Sequence, residues 1–149
     1  MVDIHLRAAE QSDAEFIFVL AREALGPYVE EIWGWRDDEQ RELQAVWFSR
    51  KQVQVIEADG EPVGCLAVTE HKDHVNVDRI ALLPVWQKRG IGTQLMRDVL
   101  DDAERRGLPV RLSVLDNNPA QGLYERLGFR VTSIEPPRVK MEWKPRDRA

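Results

Sequence analysis

Cysteine is nearly absent. Cys65 is the single one, so no disulfide can close within the chain and no cysteine-based zinc site can form. Its surroundings, VGCLAV, read as the middle of a buried strand, where a thiol behaves as a small inert hydrophobe. Histidine is scarce too: His5, His71 and His74 lack metal-ligand spacing, and no metal is expected. Positive charge is not in excess. Lys and Arg number 21 against 26 Asp and Glu, a net charge of −5, which argues against a nucleic-acid partner. No apolar run approaches the length of a membrane span, and MVDIHLRAAEQSD at the N-terminus has no apolar signal core. A cytoplasmic protein without a membrane partner is the expectation. Repeats, low-complexity tracts and linkers are missing as well, so the 149 residues are expected to form one domain, 1–149, with a sizeable core.

What is present is a clear alternation of periods. Ile4, Leu6 and Ala8 alternate and suggest a first strand with those three inward. Ser12-Asp13-Ala14-Glu15 has a capping-box pattern that opens a helix to about Leu25; Phe16, Val19, Leu20 and Ala21 would face the core, and Gly26-Pro27 would stop it. Residues 38–49 suit a second helix, with Leu43, Val46 and Trp47 on one side. From Gln52 the period becomes that of strands. QVQVIEA, the turn Asp59-Gly60 and EPVGCLAVTE make a hairpin signal. HKDH makes another turn, and VNVDRIALLP is a third strand ended by Pro84. Residues 90–106 are helical, with an apolar stripe of Ile91, Leu95, Met96, Val99 and Leu100 and with Gly107 at the C-cap position. PVRLSVL is a strand, and residues 119–127 are a short helix stopped by Gly128. Residues 129–133 and 138–143 are closing strands around Pro136-Pro137. The order β-α-α-β-β-β-α-β-α-β-β predicts an α/β (α+β) fold, one mixed sheet with helices packed on both faces.

QKRGIGTQLM, residues 87–96, sets two cations and two glycines at the start of a helix. The first N–H groups of a helix have no internal partner and carry partial positive charge, which together make an anion site. Gly90 and Gly92 let the backbone approach a ligand without a Cβ in the way, and Lys88 and Arg89 add attraction. Two known phosphate motifs fail. The third glycine of the dinucleotide fingerprint is Leu95 here, and Gly92 is followed by Thr93-Gln94 where the P-loop has Lys-Ser/Thr. On these residues alone, a plain strand-to-helix turn is the alternative to a phosphate cradle.

With its flanks, VDRIALLPVWQKRGIGTQLMRDVL resembles the coenzyme-A-binding segment of the GNAT N-acetyltransferase superfamily, with Gln87, Gly90 and Gly92 at its signature positions. LSVLDNNPAQGLYERLGF resembles the family's next strand and helix, through Asn118-Pro119-Ala120, Leu123-Tyr124 and Leu127-Gly128-Phe129. The resemblance covers residues 53–143 well and the N-terminal third loosely. It implies a GNAT-like, mostly antiparallel central sheet, and acetyl-CoA as acyl donor. It implies that backbone N–H groups from Gln87 through Lys88, Arg89, Gly90, Ile91 and Gly92 to Thr93 bind the coenzyme pyrophosphate. It further implies that Leu82 and Leu83 pair through their main chain with the pantetheine arm, a pairing that Pro84 would end for want of an N–H. Asn118 would touch the coenzyme as well as cap its helix, with Asn117 a rival for that role. Many relatives are dimers, so a homodimer is an expectation.

The reaction implied is direct transfer of acetyl to a primary amine in a ternary complex. The amine attacks the thioester, a tetrahedral oxyanion forms, and the thiolate leaves. Tyr124 matches the family's general acid: a phenol stays protonated at neutral pH and can protonate that thiolate. Without the resemblance it reads as a core aromatic. The amine must attack in its neutral form, yet a lysine-like amine of pKa about 10.4 is nearly all protonated at pH 7. A base or a water chain is needed. Asp78, Glu70 and His74 are candidate bases without a motif behind them, each equally readable as a solvated strand-edge residue. The family's acceptor wall falls on ALGPYVEEIWGWRDDEQRE, with Tyr28, Glu30, Glu31, Trp33 and Trp35; acids outnumber bases six to two over residues 28–42. Such a wall suits a cationic amine, a polyamine, aminoglycoside-like amine, lysine or protein N-terminus. Helix-opening acids and core tryptophans account for the same residues equally well. The other function class is a non-catalytic acyl-CoA-binding regulatory module on the same fold, since fold alone does not establish chemistry.

Overall fold

A computed structural model describes residues 2–146. In chain order the elements are β1 (Ile4–Ala8), a 3₁₀ turn (Gln11–Asp13), α1 (Ala14–Ala24), α2 (Gly26–Trp33), α3 (Asp37–Arg50), β2 (Val53–Ala58), β3 (Glu61–Glu70), β4 (Val75–Leu82), a second 3₁₀ turn (Pro84–Trp86), α4 (Ile91–Arg106), β5 (Val110–Leu115), α5 (Ala120–Arg126), β6 (Arg130–Glu135) and β7 (Arg138–Trp143). The seven strands form one open sheet in the order β1-β2-β3-β4-β5-β7-β6. It is mixed and mostly antiparallel, as expected, with a parallel step where β4 meets β5 at Val75↔Val110 and Asn76↔Arg111. The β2–β3 hairpin turns at Asp59 and Gly60, whose φ values of 52° and 85° are the pair of left-handed residues that a two-residue hairpin turn requires.

The chain divides into two compact units. One is the chain up to Val68 together with Arg79–Gly92; the other is Thr69–Asp78 together with the chain from Thr93 on. In the first, Ile17 and Leu20 of α1 bury against Val53 of β2, Cys65 and Ala67 of β3 and Ala81 of β4, with Trp47 and Phe48 of α3 at the margin. Burial pushes the Cys65 thiol up to about 11, in keeping with an inert core residue. A Cβ on Gly64 would stand 2.3 Å from the Ala81 carbonyl oxygen, so β3 and β4 pack there only because Gly64 has none. Arg7 ties β1 to its neighbours, donating to Asp13 at 2.8 and 2.9 Å and to Glu57 at 2.8 Å. The Arg7 guanidinium holds the Asp13 carboxyl down to about 2.

In the second unit β5 alternates, burying Val110, Leu112 and Val114; its partners in register on β7, Met141 and Val139 opposite Leu112 and Val114, are buried too. Leu95, Met96, Leu100 and Ala103 of α4 are buried, while Val99 is half-buried. Gly107, at φ 67°, ends α4, and the Leu108 N–H returns to the Ala103 carbonyl at 3.0 Å, as the C-cap glycine predicts.

Four expectations about the N-terminal third change. Gly26-Pro27 opens a helix instead of leading into a loop: proline at the first helical turn has its φ preset, and α2 runs from there to Gly34 at φ 82°. The capping box lies earlier, between Glu10 and Asp13 around the first 3₁₀ turn. On α1 the fully buried residues are Ile17, Phe18, Leu20 and Ala21, with Phe16 and Val19 half-buried, because Phe18 is covered by Trp35 and Arg41 instead of facing water. Leu6 and Ala8 of the edge strand β1 are exposed, and on α3 Leu43 and Val46 are exposed while Trp47 and Phe48 turn inward.

Candidate active site

Within the first unit, β4 ends at Leu82 and the chain passes through Pro84–Trp86 into the glycine turn. Lys88 at φ 61° and Gly90 at φ 85° are both left-handed in the turn before α4 begins at Ile91. The Gln87 side chain donates to the Leu82 carbonyl at 2.9 Å and pins the turn to the end of β4. Arg89 is anchored as well: its Nε donates to the Val85 carbonyl at 2.9 Å and its guanidinium lies 4.8 Å from the Trp86 ring centre. Lys88 is exposed.

Among the described residues nothing beyond its chain neighbours stands within 4 Å of where a Gly90 Cβ would be, and a Gly92 Cβ would make only ordinary contact, 3.8 Å from Leu82 Cδ1. Gly90 is required by its backbone conformation; the protein's own packing does not require Gly92. What remains is bare backbone at a helix start, where the first four N–H groups lack an internal acceptor. Lys88 and Arg89 flank this helix start.

Leu82 and Leu83 differ. The Leu83 N–H is committed to the Val63 carbonyl at 2.9 Å, so its main chain faces β3. Alternation along a strand turns the main-chain groups of Leu82 to the opposite edge. There its carbonyl accepts from Gln87, and its N–H points the same way.

The second unit carries Thr93, Asn117, Asn118, Tyr124, Asp78 and Glu70. Thr93, in the first turn of α4, is half-buried. Asn118 Oδ1 accepts from the Ala120 N–H at 2.9 Å, a turn bond just before α5; the N-cap position belongs to Pro119, so Asn118 does not cap the helix as expected, and its NH₂ lies outside that bond. Asn117 is half-buried beside it. The Tyr124 ring is buried edge-on to Phe129, centroids 5.8 Å apart, and burial pushes the phenol up to about 12. No residue among those described bonds its hydroxyl.

The candidate bases are already engaged. Asp78 accepts from Thr69 Oγ1 on one carboxylate oxygen and from Asn76 Nδ2 on the other. Glu70 pairs with Arg106 at 3.0 Å on the surface. His74 bonds Asp73 at 2.7 Å and stacks on His71, ring centres 4.3 Å apart.

The expected acceptor wall is helical. Glu30, Glu31 and Trp33 are exposed on α2 and Tyr28 is half-buried. Trp35 turns inward: it packs on Phe18 and donates from Nε1 to Asp37 at 2.7 Å. Sequence reasoning missed Arg79 of β4, whose guanidinium lies 4.1 Å from the Trp47 ring centre. The signal was there: Arg79 is a cation on the same side of β4 as the apolar Val77 and Ala81.

The family model of the GNAT acetyltransferases matches residues 14–129. The chain belongs to the GNAT acetyltransferase family. It is 35% identical over 85 residues to a putative [ribosomal protein bS18]-alanine N-acetyltransferase of Bacillus subtilis, a match covering 54% of this chain and 54% of that one. The chain thus spans about half the length of the curated relatives it matches. Among solved structures, the PaiA N-acetyltransferase of Thermoplasma acidophilum in complex with coenzyme A superposes at a TM-score of 0.76, with 19% identity over 95% of this chain and 99% of that one. The ribosomal-protein-S18-alanine N-acetyltransferase of Escherichia coli gives 0.71, with 18% identity over 99% and 97%. At these identities the structures establish the GNAT fold. Among the described residues no group of three or more His, Cys, Asp or Glu is arranged to hold a metal ion, and no helix is long and apolar enough to cross a membrane.

Proposed function

We propose that the chain, as one domain, is an N-acetyltransferase that moves an acetyl group from acetyl-CoA to a primary amine in a ternary complex. The observation that carries this is the turn from Gln87 to Thr93 in a chain of this family: two left-handed residues and open space over Gly90 at the start of a helix, where the first amides lack internal acceptors. Coenzyme A is bound in the Thermoplasma relative of the same fold. Bound here, acetyl-CoA would supply an acetyl group activated as a thioester.

The chain's own residues take these parts. Amides of Lys88, Arg89, Gly90, Ile91, Gly92 and Thr93 hold the diphosphate, with the charges of Lys88 and Arg89 beside them and Gln87 fixing the turn. Leu82 offers the main-chain edge for the pantetheine arm; Leu83 supports it through β3. Asn118 presents its NH₂ to the coenzyme while its oxygen holds the Ala120 N–H ahead of α5. Tyr124 Oη donates its proton to the departing sulfur as the new C–N bond forms and the C–S bond breaks. The attacking nitrogen loses its proton to water, because Asp78 and Glu70 are both held by donors. The exposed Glu30, Glu31 and Trp33 of α2 attract a cationic acceptor, a small amine or a peptide or protein amine like that named for the bacterial relatives.

The engagement of both carboxylates also favours a second reading, a coenzyme-binding module without catalysis. Release of free thiol from acetyl-CoA across a panel of amines decides between them. Turnover that depends on the amine supports the enzyme; tight coenzyme binding without thiol release supports the module.

A further inference from the structure

Arg79 is partly buried without a carboxylate partner among the described residues, whereas Arg89 of the same unit, which also stacks on a tryptophan without one, is exposed. In the same unit Arg7 pairs with Asp13 and Glu57, Arg22 with Asp37 and Arg41 with Glu15. Arg79 pairs with no carboxylate among the described residues; its one partner is the face of Trp47. It is flanked on its side of β4 by the buried Val77 and Ala81. Burial lowers its pKa from the ordinary guanidinium value, against a small opposing pull from Cys65. A guanidinium nonetheless keeps its charge in a protein. An aromatic face compensates a partly desolvated cation only in part. Stacking uses the guanidinium's face and leaves the N–H donors at its rim, and a single rim of this kind matches the two oxygens of one carboxylate. Arg79 as a residue is half-buried and not sealed from solvent.

Along β4, Arg79 precedes Leu82 by three residues, about 10 Å of strand. If the pantetheine arm runs from the glycine turn past Leu82, its acyl end points back along β4 toward Arg79. We propose that Arg79 determines acceptor specificity by binding a carboxylate on the acyl acceptor, so that the substrate is a small amine of amino-acid type and not a plain polyamine. Arg79 suits the carboxylate end of such a molecule. The proposal rests on the acetyl-transfer reading for its context.

Two measurements on the full chain test it. In the ¹⁵N-labelled protein, the Nε–H signal of Arg79, assigned by its loss in Arg79→Gln, is followed during titration with sodium propionate and, at equal ionic strength, with propionamide plus sodium chloride. A saturable shift with propionate alone is expected; a signal indifferent to propionate overturns the proposal. In steady-state transfer, amino acids are compared with their amides. The wild-type chain is expected to favour the carboxylate member at least about tenfold in kcat/KM, from the loss of a charged hydrogen bond. Arg79→Gln closes that gap through KM, and Arg79→Lys keeps part of it. Equal use of both members by the wild-type chain, or a gap that survives Arg79→Gln, overturns the proposal. A thermal shift with coenzyme A on the same samples separates the failures. Its absence in the wild-type chain defeats the acetyl-transfer reading, whereas an indifferent Arg79 in a chain that binds coenzyme A defeats only the carboxylate site.

Discussion

A phenol that burial holds at about 12 keeps its proton through the whole range in which an amine loses one. The pH profile of transfer follows from this. The rate should rise with pH as the acceptor amine is deprotonated, and Tyr124 should add no falling limb until about pH 12. An unburied tyrosine, at about 10, would bend the profile down two units earlier. Removing the proton donor in Tyr124→Phe should lower kcat about 100-fold with little change in the KM for acetyl-CoA, read by thiol release; an unchanged kcat would return Tyr124 to the core aromatics. Gly90→Ala must hold alanine at φ 85°, a left-handed conformation costing about 1–2 kcal/mol. It should lower the urea midpoint and weaken coenzyme binding together. The left-handed Gly90 and the candidate role of Tyr124 could be read from the sequence because their motifs are local spacings. The engagement of Asp78 by Thr69 and the stacking of Arg79 on Trp47 could not, since each joins groups brought together only by the fold.

Elements were legible wherever one local signal dominated. Asp59-Gly60 fixed the β2–β3 hairpin, and Gly107 fixed the end of α4. The helices before β2 were harder. Gly26-Pro27 is punctuation that can stop one helix or start another, and only the tertiary setting decides; α1 accommodates a buried Phe18 because Trp35 and Arg41 cover it. The Arg7 network gives this region a pH signature. Asp13 titrates at about 2 in the fold against an ordinary 3.8, so the unfolded chain binds its proton first as the medium is acidified. Its contribution is therefore complete above about pH 4 and lost as pH falls toward 2. Asp13→Asn should cost about 1–2 kcal/mol at pH 7, a deficit that shrinks below pH 4, measured by urea unfolding across pH. A deficit independent of pH would mean that Arg7 does not set the Asp13 titration. Gly64→Ala tests the β3–β4 packing: with a Cβ 2.3 Å from the Ala81 oxygen the strands must part, at a cost of about 1–3 kcal/mol.

At the scale of the whole molecule, the alternating periods marked every strand and all the helices but α2, while the strand order β1-β2-β3-β4-β5-β7-β6 lay outside what they could show. The parallel step from β4 to β5 joins residues 35 apart in sequence, Val75 and Val110, and leaves no local mark. Family membership therefore carries the topology, while the chemistry depends on what the glycine turn holds. The decisive measurement is an amide titration of the ¹⁵N-labelled chain with coenzyme A. The account predicts that the largest saturable shifts fall on the amides of residues 88–93, and that Gly90→Ala weakens the titration. Shifts that spare this turn while moving amides elsewhere, or no shifts at millimolar coenzyme, would contradict it.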